Sequence, residues 1–335
     1  MPRFLSSHLN LVLTLLGGGI LVGLLWGLGF GPVLEQLMKI GPGWLFIVGQ
    51  EALPILANTA GWHYAFAEPQ RTVGFGRLLR LRLAGDSLNY LVPSATLGGE
   101  IWRVNSLRRE VSGAVGAASV TLAKFNQFLG QALFIALGLS LAAPLAPLRP
   151  GLAPWFWAVL AGCLMFLGVI FWGLNRRLFG KMAGGLKNWL PARVFARLPL
   201  DRIDELDRVI GAYLAGHRRA FWASTGLFAL AWALGSLEVL IIFYFLGLPL
   251  SLPTAVTVET LSIFLDLVLF FMPAKLGTQE GGKVLIFLSL GLPPVAGLSF
   301  GLIRRVRELT WAGVGLICLS TMPASPAWGS KAEGR

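Results

Sequence analysis

The sequence predicts an all-α polytopic membrane protein with about six full transmembrane helices and two re-entrant hairpins related as an inverted repeat. Apolar residues make up 55% of the 335-residue chain and charged residues only 13%, and the mean hydropathy is +0.70. Many apolar runs are long enough to cross about 30 Å of hydrocarbon. Two further runs are broken by Pro and Gly at matching positions, a pattern typical of discontinuous helices in transporters.

Six apolar runs are predicted to cross the membrane within one integral membrane domain, 1–335. They cover 9–31, 43–66, 113–142, 153–174, 220–247 and 294–322. The first run is longer than the apolar core of a signal peptide, and no small-residue cleavage site follows it. We therefore expect it to remain as the first helix.

Basic residues set the expected orientation of these spans. They cluster in three places: Arg71, Arg77, Arg80 and Arg82; Arg103, Arg108 and Arg109; and the loop 175–219, with ten Lys/Arg against four Asp/Glu. Basic loops stay in the cytoplasm, so both termini should also be cytoplasmic, in a bacterial inner membrane. Loops 31–42 and 143–152 each hold one basic residue and should face out. The formal net charge of +12 thus reflects loop orientation and lipid headgroups, and no nucleic-acid partner is predicted.

The two broken segments are predicted at 83–108 and 253–291. The first has basic residues on both sides, and Arg82 to Pro93 would span only about 16 Å as a helix. It should therefore enter from the cytoplasm, turn and return, shielded by other helices. Three spans separate it from the second segment, so the second hairpin should enter from outside. The alternative is that 253–272 crosses fully.

The same charged frame occurs in both broken segments. Asp86, Pro93, Glu100 and Arg103 recur 180 residues later as Asp266, Pro273, Glu280 and Lys283. A repeated, Pro/Gly-broken segment in each half points to a substrate site near the membrane midplane. Coincidence between two helix-ending clusters is the alternative.

Within each frame, the carboxylate and the cation are three residues apart, so on a helix they share one face. Glu100 with Arg103, and Glu280 with Lys283, could be structural ion pairs, because a paired charge is cheaper to bury than a single one. Alternatively, cations beside a broken helix suit a phosphate oxyanion.

The last span contains the run Arg304-Arg305-Val306-Arg307-Glu308. Arg304 and Arg307 share a face and are the predicted headgroup site, whereas Arg305 and Glu308 form the predicted structural pair. Charges inside an apolar helix face a cavity or a partner. If the span were two short pieces, the run would be a cytoplasmic loop. Other ionisable residues within apolar segments are Glu51, Lys124, Glu238, Glu259 and Lys275.

The motifs resemble those of the lysylphosphatidylglycerol synthase transmembrane-region family, the flippase-like proteins. Residues 85–93 (GDSLNYLVP) and 98–103 (GGEIWR) resemble the family's Asn-x-x-x-Pro and Gly-Glu-x-x-Arg segment. Residues 276–281 (LGTQEG) are similar to its second, Gly-rich motif, and 304–311 (RRVRELTW) to its last helix. The amino-acid sequences of the last two motifs most resemble those of the family's hopanoid-associated branch.

The resemblance implies translocation or carriage of a polar-headed or anionic lipid, such as a phospholipid or hopanoid, through a midplane groove. The expected substrate-binding residues are Asp86, Asn89, Glu100, Arg103, Lys124, Asp266, Glu280, Lys283, Arg304 and Arg307. No soluble aminoacyl-transferase domain, metal motif or nucleophile accompanies them, so neither an enzyme nor a cofactor is predicted. The alternative is a non-transporting partner that docks lipid- or hopanoid-modifying enzymes through loop 175–219.

Overall fold

A computed structural model describes residues 3–66, 73–91, 98–141, 143–145, 211–249, 251–269 and 277–322, with scattered positions between 157 and 168. These residues form helices and turns, and no strand occurs among them. The span 153–174 and the loop 175–219 fall mostly outside the described residues, as do Pro93, Pro273 and Lys275.

Eleven long or medium helices account for the described fold. They are α1 (Arg3–Leu28), α2 (Phe30–Lys39), α3 (Gly43–Gln50), α4 (Ala52–Tyr64), α5 (Phe75–Leu91), α6 (Gly98–Leu107), α7 (Gly113–Leu141), α8 (Arg218–Leu246), α9 (Leu252–Val268), α10 (Thr278–Ser289) and α11 (Pro294–Ser320).

The helices follow the predicted spans closely. Among the described residues, α7 and α8 are long and apolar enough to cross a membrane by length and composition, and α1 with α2 would make a third if the bent pair is one span. The remaining long helix, α11, carries the arginine run and is continuous over 27 residues. The interpretation of residues 304–308 as a loop between two short pieces is therefore wrong.

The segment 31–42 is not the loop that the sequence suggested. Gly29 adopts a positive φ of 86°, which favours glycine, and the chain turns there by 90° from α1 into α2. Val33 of α2 is buried, while Glu35 and Lys39 form an exposed ion pair at 3.0 Å. Residues 30–39 thus form an amphipathic helix.

The first broken segment starts earlier than predicted. Its first arm, α5, begins at Phe75, whereas the sequence suggested 83. Arg77 and Arg82 therefore lie on a helix and not in a basic loop. Arg82 is only 6% exposed, and its guanidinium lies 5.9 Å from the Phe228 ring. This residue cannot serve as a cytoplasmic marker of orientation.

Close helix contacts hold the bundle together around α8. A Cβ at Gly61 of α4 would lie 2.9 Å from the Phe228 ring, and one at Gly130 of α7 would lie 2.7 Å from the backbone of α8. Asn126 donates to Ser224 at 2.8 Å, and Ser224 donates to the Gly61 carbonyl at 2.8 Å. Small residues and buried hydrogen bonds of this kind are the usual means of packing helices in membranes.

A second packing centre is α11, which contacts α5 and α10. The Ser87 hydroxyl of α5 donates to the Ala312 carbonyl of α11 at 2.9 Å. In the same way, α7 packs against α6 and α9. The helices α7 and α11 therefore each contact one arm of the first broken segment and one arm of the second. This arrangement places the charged residues of the two segments around a common interior.

Candidate functional site

The described helices enclose a cavity of about 360 Å³. It lies between α4, α5, α8, α9 and α11, with Gln127 of α7 at its edge. Asp86 of the first broken segment and Asp266 of the second both line it. The repeated aspartates, which are 180 residues apart in the chain, therefore face one interior space.

The cavity is strongly polar, and its formal charge is negative. Its lining contains three arginines, Arg82, Arg304 and Arg307. It also contains five carboxylates, which are two more than the arginines: Glu51, Asp86, Glu259, Asp266 and Glu308. Charges in such a position within an apolar bundle mark a pathway or a binding site.

Arg103 of α6 is held mainly by the first arm of its own broken segment. Its guanidinium donates to Asp86 at 2.6 Å and to the Arg82 carbonyl at 2.8 Å, and it lies 5.6 Å from the Trp62 ring. The predicted contact with Glu100 is present but longer, at 3.5 Å. A Cβ on Gly85 would lie 2.9 Å from the guanidinium carbon of Arg103, so glycine allows this approach.

Glu100 is bound instead to Lys124 and Asn89. Lys124 of α7 lies 3.1 Å from the Glu100 carboxylate, and the Asn89 amide donates to it at 2.9 Å. The Asn89 oxygen accepts from the Gly99 backbone at 2.8 Å. Glu100, Arg103 and Lys124 line a second, water-sized space of about 10 Å³, separate from the main cavity. These residues therefore fix the two arms of the first broken segment to each other and to α7.

The second broken segment has a similar link between its arms. Gln279 of α10 donates to Asp266 of α9 at 2.8 Å. The predicted pair of Glu280 and Lys283 does not form among the described residues, because Glu280 binds Arg305 of α11 at 2.9 Å. Lys283 is 2% exposed and does not line the main cavity.

Arg304 and Arg307 meet at one carboxylate, as their shared helix face predicts. Each lies 2.9 Å from Glu238 of α8. Arg304 also binds Glu259 of α9, and Arg307 also binds Glu51 at the junction of α3 and α4. Both arginines line the cavity, but carboxylates already neutralise them, so they do not offer a vacant anion site.

Arg305 connects the two broken segments. It binds Glu280 at 2.9 Å and Gln279 at 3.0 Å in the second segment, and Tyr90 at 3.1 Å in the first. Its predicted partner Glu308 lies at 3.6 Å and is thus a weaker contact.

The sequence did not place Glu51, Glu238 and Glu259 in the site. Each was visible as a carboxylate within an apolar segment, which is an indication of function by itself. Their partners could not be assigned, because the arginines lie on a helix distant in sequence. Arg82 was overlooked because its neighbours are basic.

The comparison with known families agrees with this architecture. The family described as Lysylphosphatidylglycerol synthase TM region matches residues 10–316. The chain belongs to this family. The match includes both broken segments and the arginine run of α11. We found no significant match among curated proteins or among solved structures.

Membership in the lysylphosphatidylglycerol synthase transmembrane-region family indicates a membrane protein linked to lipid handling. The described residues contain no cluster of three or more His, Cys, Asp or Glu arranged to hold a metal ion. What the site offers is a polar interior, with carboxylates and guanidinium groups in place, inside an apolar helical bundle.

Proposed function

We propose that this protein moves a polar-headed lipid across the membrane by passing the headgroup through the 360 Å³ cavity. The observation that carries the proposal is the convergence of Asp86 and Asp266, one from each broken segment, on this cavity. The headgroup would exchange its hydration for the cavity's polar groups, while the tails remain among the hydrocarbon chains. The cavity volume falls in the range of about 300–1,000 Å³ that is usual for small-molecule sites.

The charges favour a zwitterionic or amine-bearing headgroup over a purely anionic one. Arg304 and Arg307 are paired with carboxylates, and Arg82 lies 3.4 Å from Asp86. An anion could bind these arginines only by displacing a carboxylate, and a buried carboxylate without its cation is costly. An amine adds a cation to a lining that has more carboxylates than arginines, so it can bind without displacing a carboxylate from an arginine. Phospholipids and hopanoids with such headgroups both match these charges. The sequences of 276–281 and 304–311 resemble the hopanoid-associated branch, so hopanoids are worth testing.

An inverted repeat with about six spans accounts for how the cavity could open to either side. The first arms α5 and α9 each have 17 residues. In each half a cation on the following helix binds the glutamate of the frame: Lys124 binds Glu100, 24 residues away, and Arg305 binds Glu280, 25 residues away. The proposal places the termini in the cytoplasm and the protein in the inner membrane, with the two broken segments rocking around the cavity.

Catalysis is not part of the proposal. Glu100 and Glu280, the glutamates of the repeated frame, are both engaged by cations, Lys124 and Arg305 respectively. A general base must be free to reach the proton that it abstracts. Their contacts therefore support a role in holding the broken segments together.

The test is lipid movement in vesicles reconstituted with the full chain. Tail-labelled fluorescent phosphatidylethanolamine and phosphatidylglycerol are each added in trace amounts, and a membrane-impermeant reductant bleaches the label in the outer leaflet. The wild-type protein should expose inner-leaflet label, faster for the amine-bearing lipid. Asp86→Asn and Asp266→Asn should slow this at least tenfold, whereas Glu35→Gln, on the exposed face of α2, should not. Bleaching equal to that of protein-free vesicles for both lipids would refute the proposal.

A further inference from the structure

Four charged residues of the cavity wall and one buried residue bound to them form a cluster with unequal charges. The Glu238 cluster consists of Glu51, Glu238, Glu259, Arg304 and Arg307, joined by four ion pairs. Three carboxylates therefore share two guanidinium groups. With all groups ionised, the cluster carries one uncompensated negative charge inside the bundle.

The position of Glu238 makes this excess costly. The residue is 0% exposed, and both arginines bind the same oxygen, Oε2. The other oxygen, Oε1, is buried and has no hydrogen-bond partner among the described residues. The Nε atoms of Arg304 and Arg307 are also buried without a partner. An unpaired charge at such a buried position is costly.

Among the described residues, no further cation forms an ion pair with the three carboxylates of the cluster. Arg82 faces the same cavity from α5 but lies 3.4 Å from Asp86. On α11, Glu308 lies 3.8 Å from Arg307 and 3.6 Å from Arg305, so a cation outside the cluster shares its charge. From the remaining walls, α9 contributes Asp266, and α4 and α7 contribute the neutral Asn58 and Gln127. Lys283 of α10 is buried, interacts electrostatically with Asp266 and Glu308, and does not line the cavity. Among the described residues, the surroundings therefore supply no ion pair that removes the excess carboxylate of the cluster.

We propose that the Glu238 cluster is a proton-binding site that holds one proton shared among its three carboxylates. Glu51 and Glu259 line the cavity and Glu238 does not, so the proton enters and leaves through the first two. Carboxyl groups can take up and release a proton, whereas the two guanidinium groups stay protonated. The release changes the cluster from neutral to negative, which alters its attraction for a headgroup in the cavity. Coupling of this proton to lipid movement rests on the proposed function, whereas its binding does not.

A metal ion is a poorer occupant of the cluster. No metal-binding arrangement of carboxylates is found in the described part of the chain, and the two arginines already occupy the space between the carboxylates. A proton needs no vacant coordination sphere. It also restores the balance of two negative and two positive charges.

Infrared spectroscopy tests the site directly. The full chain in lipid nanodiscs is titrated with acid and base in ¹H₂O and ²H₂O, and the C=O stretch of protonated carboxyl groups is followed. The wild-type spectrum should contain a band from one carboxyl group that disappears at high pH. Because removing any one carboxylate leaves two against two arginines, Glu51→Gln, Glu238→Gln and Glu259→Gln should each abolish that band. Glu35→Gln and Glu110→Gln, which alter ion pairs outside the cavity, should retain it.

Folding is checked by a single symmetric elution peak for every variant. If Glu238→Gln does not fold, Glu51→Gln still tests the shared proton, because Glu51 is the most exposed of the three carboxylates, with 22% of its side chain accessible. Absence of the band in the wild type, or its persistence in every folded cluster variant, would overturn the proposal.

Vesicle assays separate proton binding from lipid movement. With a pH difference imposed across the vesicle membrane, the wild-type rate of lipid movement should change severalfold, and the rate of Glu51→Gln should not respond. If the wild type moves no lipid, the proposed function fails and the infrared result alone decides whether the proton site exists. If lipid moves at a rate independent of the pH difference while the band is present, coupling is overturned.

Discussion

At the scale of single residues, the polar interior depends on which carboxylate each cation contacts. Sequence spacing suggested that Arg103 pairs with Glu100 and Lys283 with Glu280. The contact of Arg103 with Glu100 is present at 3.5 Å, but Arg103 binds Asp86 more closely, at 2.6 Å, and Glu280 binds Arg305 and not Lys283. Spacing within one helix correctly reports a shared face, but it carries no information about a closer partner on another helix. In a tightly packed bundle, that second partner decides the pairing.

The first prediction concerns the partner of Arg103. Arg103→Ala should lower stability by about 1–3 kcal/mol, less than for a fully buried pair because half of the Asp86 side chain is accessible. Adding Asp86→Asn should restore part of the loss, because position 86 then no longer needs a cation closer than Arg82, which lies 3.4 Å from Asp86. Adding Glu100→Gln should restore less. Thermal unfolding in detergent measures all three, and greater recovery with Glu100→Gln would contradict the assignment.

The second prediction concerns Gly235, which allows Glu259 to reach Arg304. A Cβ at Gly235 would lie 2.7 Å from the Glu259 carboxyl carbon, so Gly235→Ala should displace that carboxylate and cost about 1–3 kcal/mol. The matched control is Gly226→Ala on the same helix, where nothing lies within 4 Å. Helix propensity favours alanine, so the control should be neutral or stabilising. Equal unfolding temperatures for the two variants would exclude the close contact.

At the scale of elements, the sequence predicted most helix positions because long apolar runs have few alternatives in a membrane. The predicted span 113–142 corresponds to Gly113–Leu141, and 220–247 corresponds to Arg218–Leu246. It misjudged α5, because Arg77, Arg80 and Arg82 resemble a basic loop although they lie on a helix. It also missed the right-angle bend at Gly29, where apolar sequence continues and only the backbone conformation changes.

The third prediction concerns the crossing of α5 and α11. A Cβ at Gly315 would lie 2.8 Å from the Leu83 carbonyl carbon, so Gly315→Ala should push the helices apart and break the bond between Ser87 and Ala312. Both unfolding temperature and lipid movement should fall. Gly313→Ala is the control, because nothing lies within 4 Å of its Cβ position on the same helix. If Gly315→Ala matched this control in both measurements, the crossing would not require close approach.

At the scale of the whole molecule, the family match covers residues 10–316, and residues of both broken segments line one cavity. The repeated frame predicted that Asp86 and Asp266 belong to one site, and both line the cavity. The composition of the rest of that site could not be predicted. Glu51, Glu238 and Glu259 come from three different helical regions, and only their packing against α11 brings them to the arginines.

The fourth prediction concerns orientation of the first broken segment. Single cysteines at Phe75 and Arg108, in a background without Cys163 and Cys318, should react with an impermeant thiol reagent only from the cytoplasmic side. Both positions are exposed. Arg77 near the first binds Glu110 near the second at 2.9 Å, so the two ends lie together, and the exposed Arg108 and Arg109 indicate the cytoplasmic side. Whole cells expose the outer face of the membrane to the reagent, and inverted vesicles expose the cytoplasmic face. Reaction of either cysteine from outside would remove the re-entrant hairpin from the account.

The last prediction tests whether the headgroup passes through the cavity. Asn58 of α4 lines the cavity, while Leu56, two residues away, is 41% exposed on the outer side of the same helix. In the cysteine-free background, lipid movement by Asn58→Cys should stop when a bulky, reducible thiol reagent is attached, and resume when it is removed. The Leu56→Cys protein, modified to the same extent, should continue to move lipid. Undiminished movement by fully modified Asn58→Cys would show that the lipid takes another route.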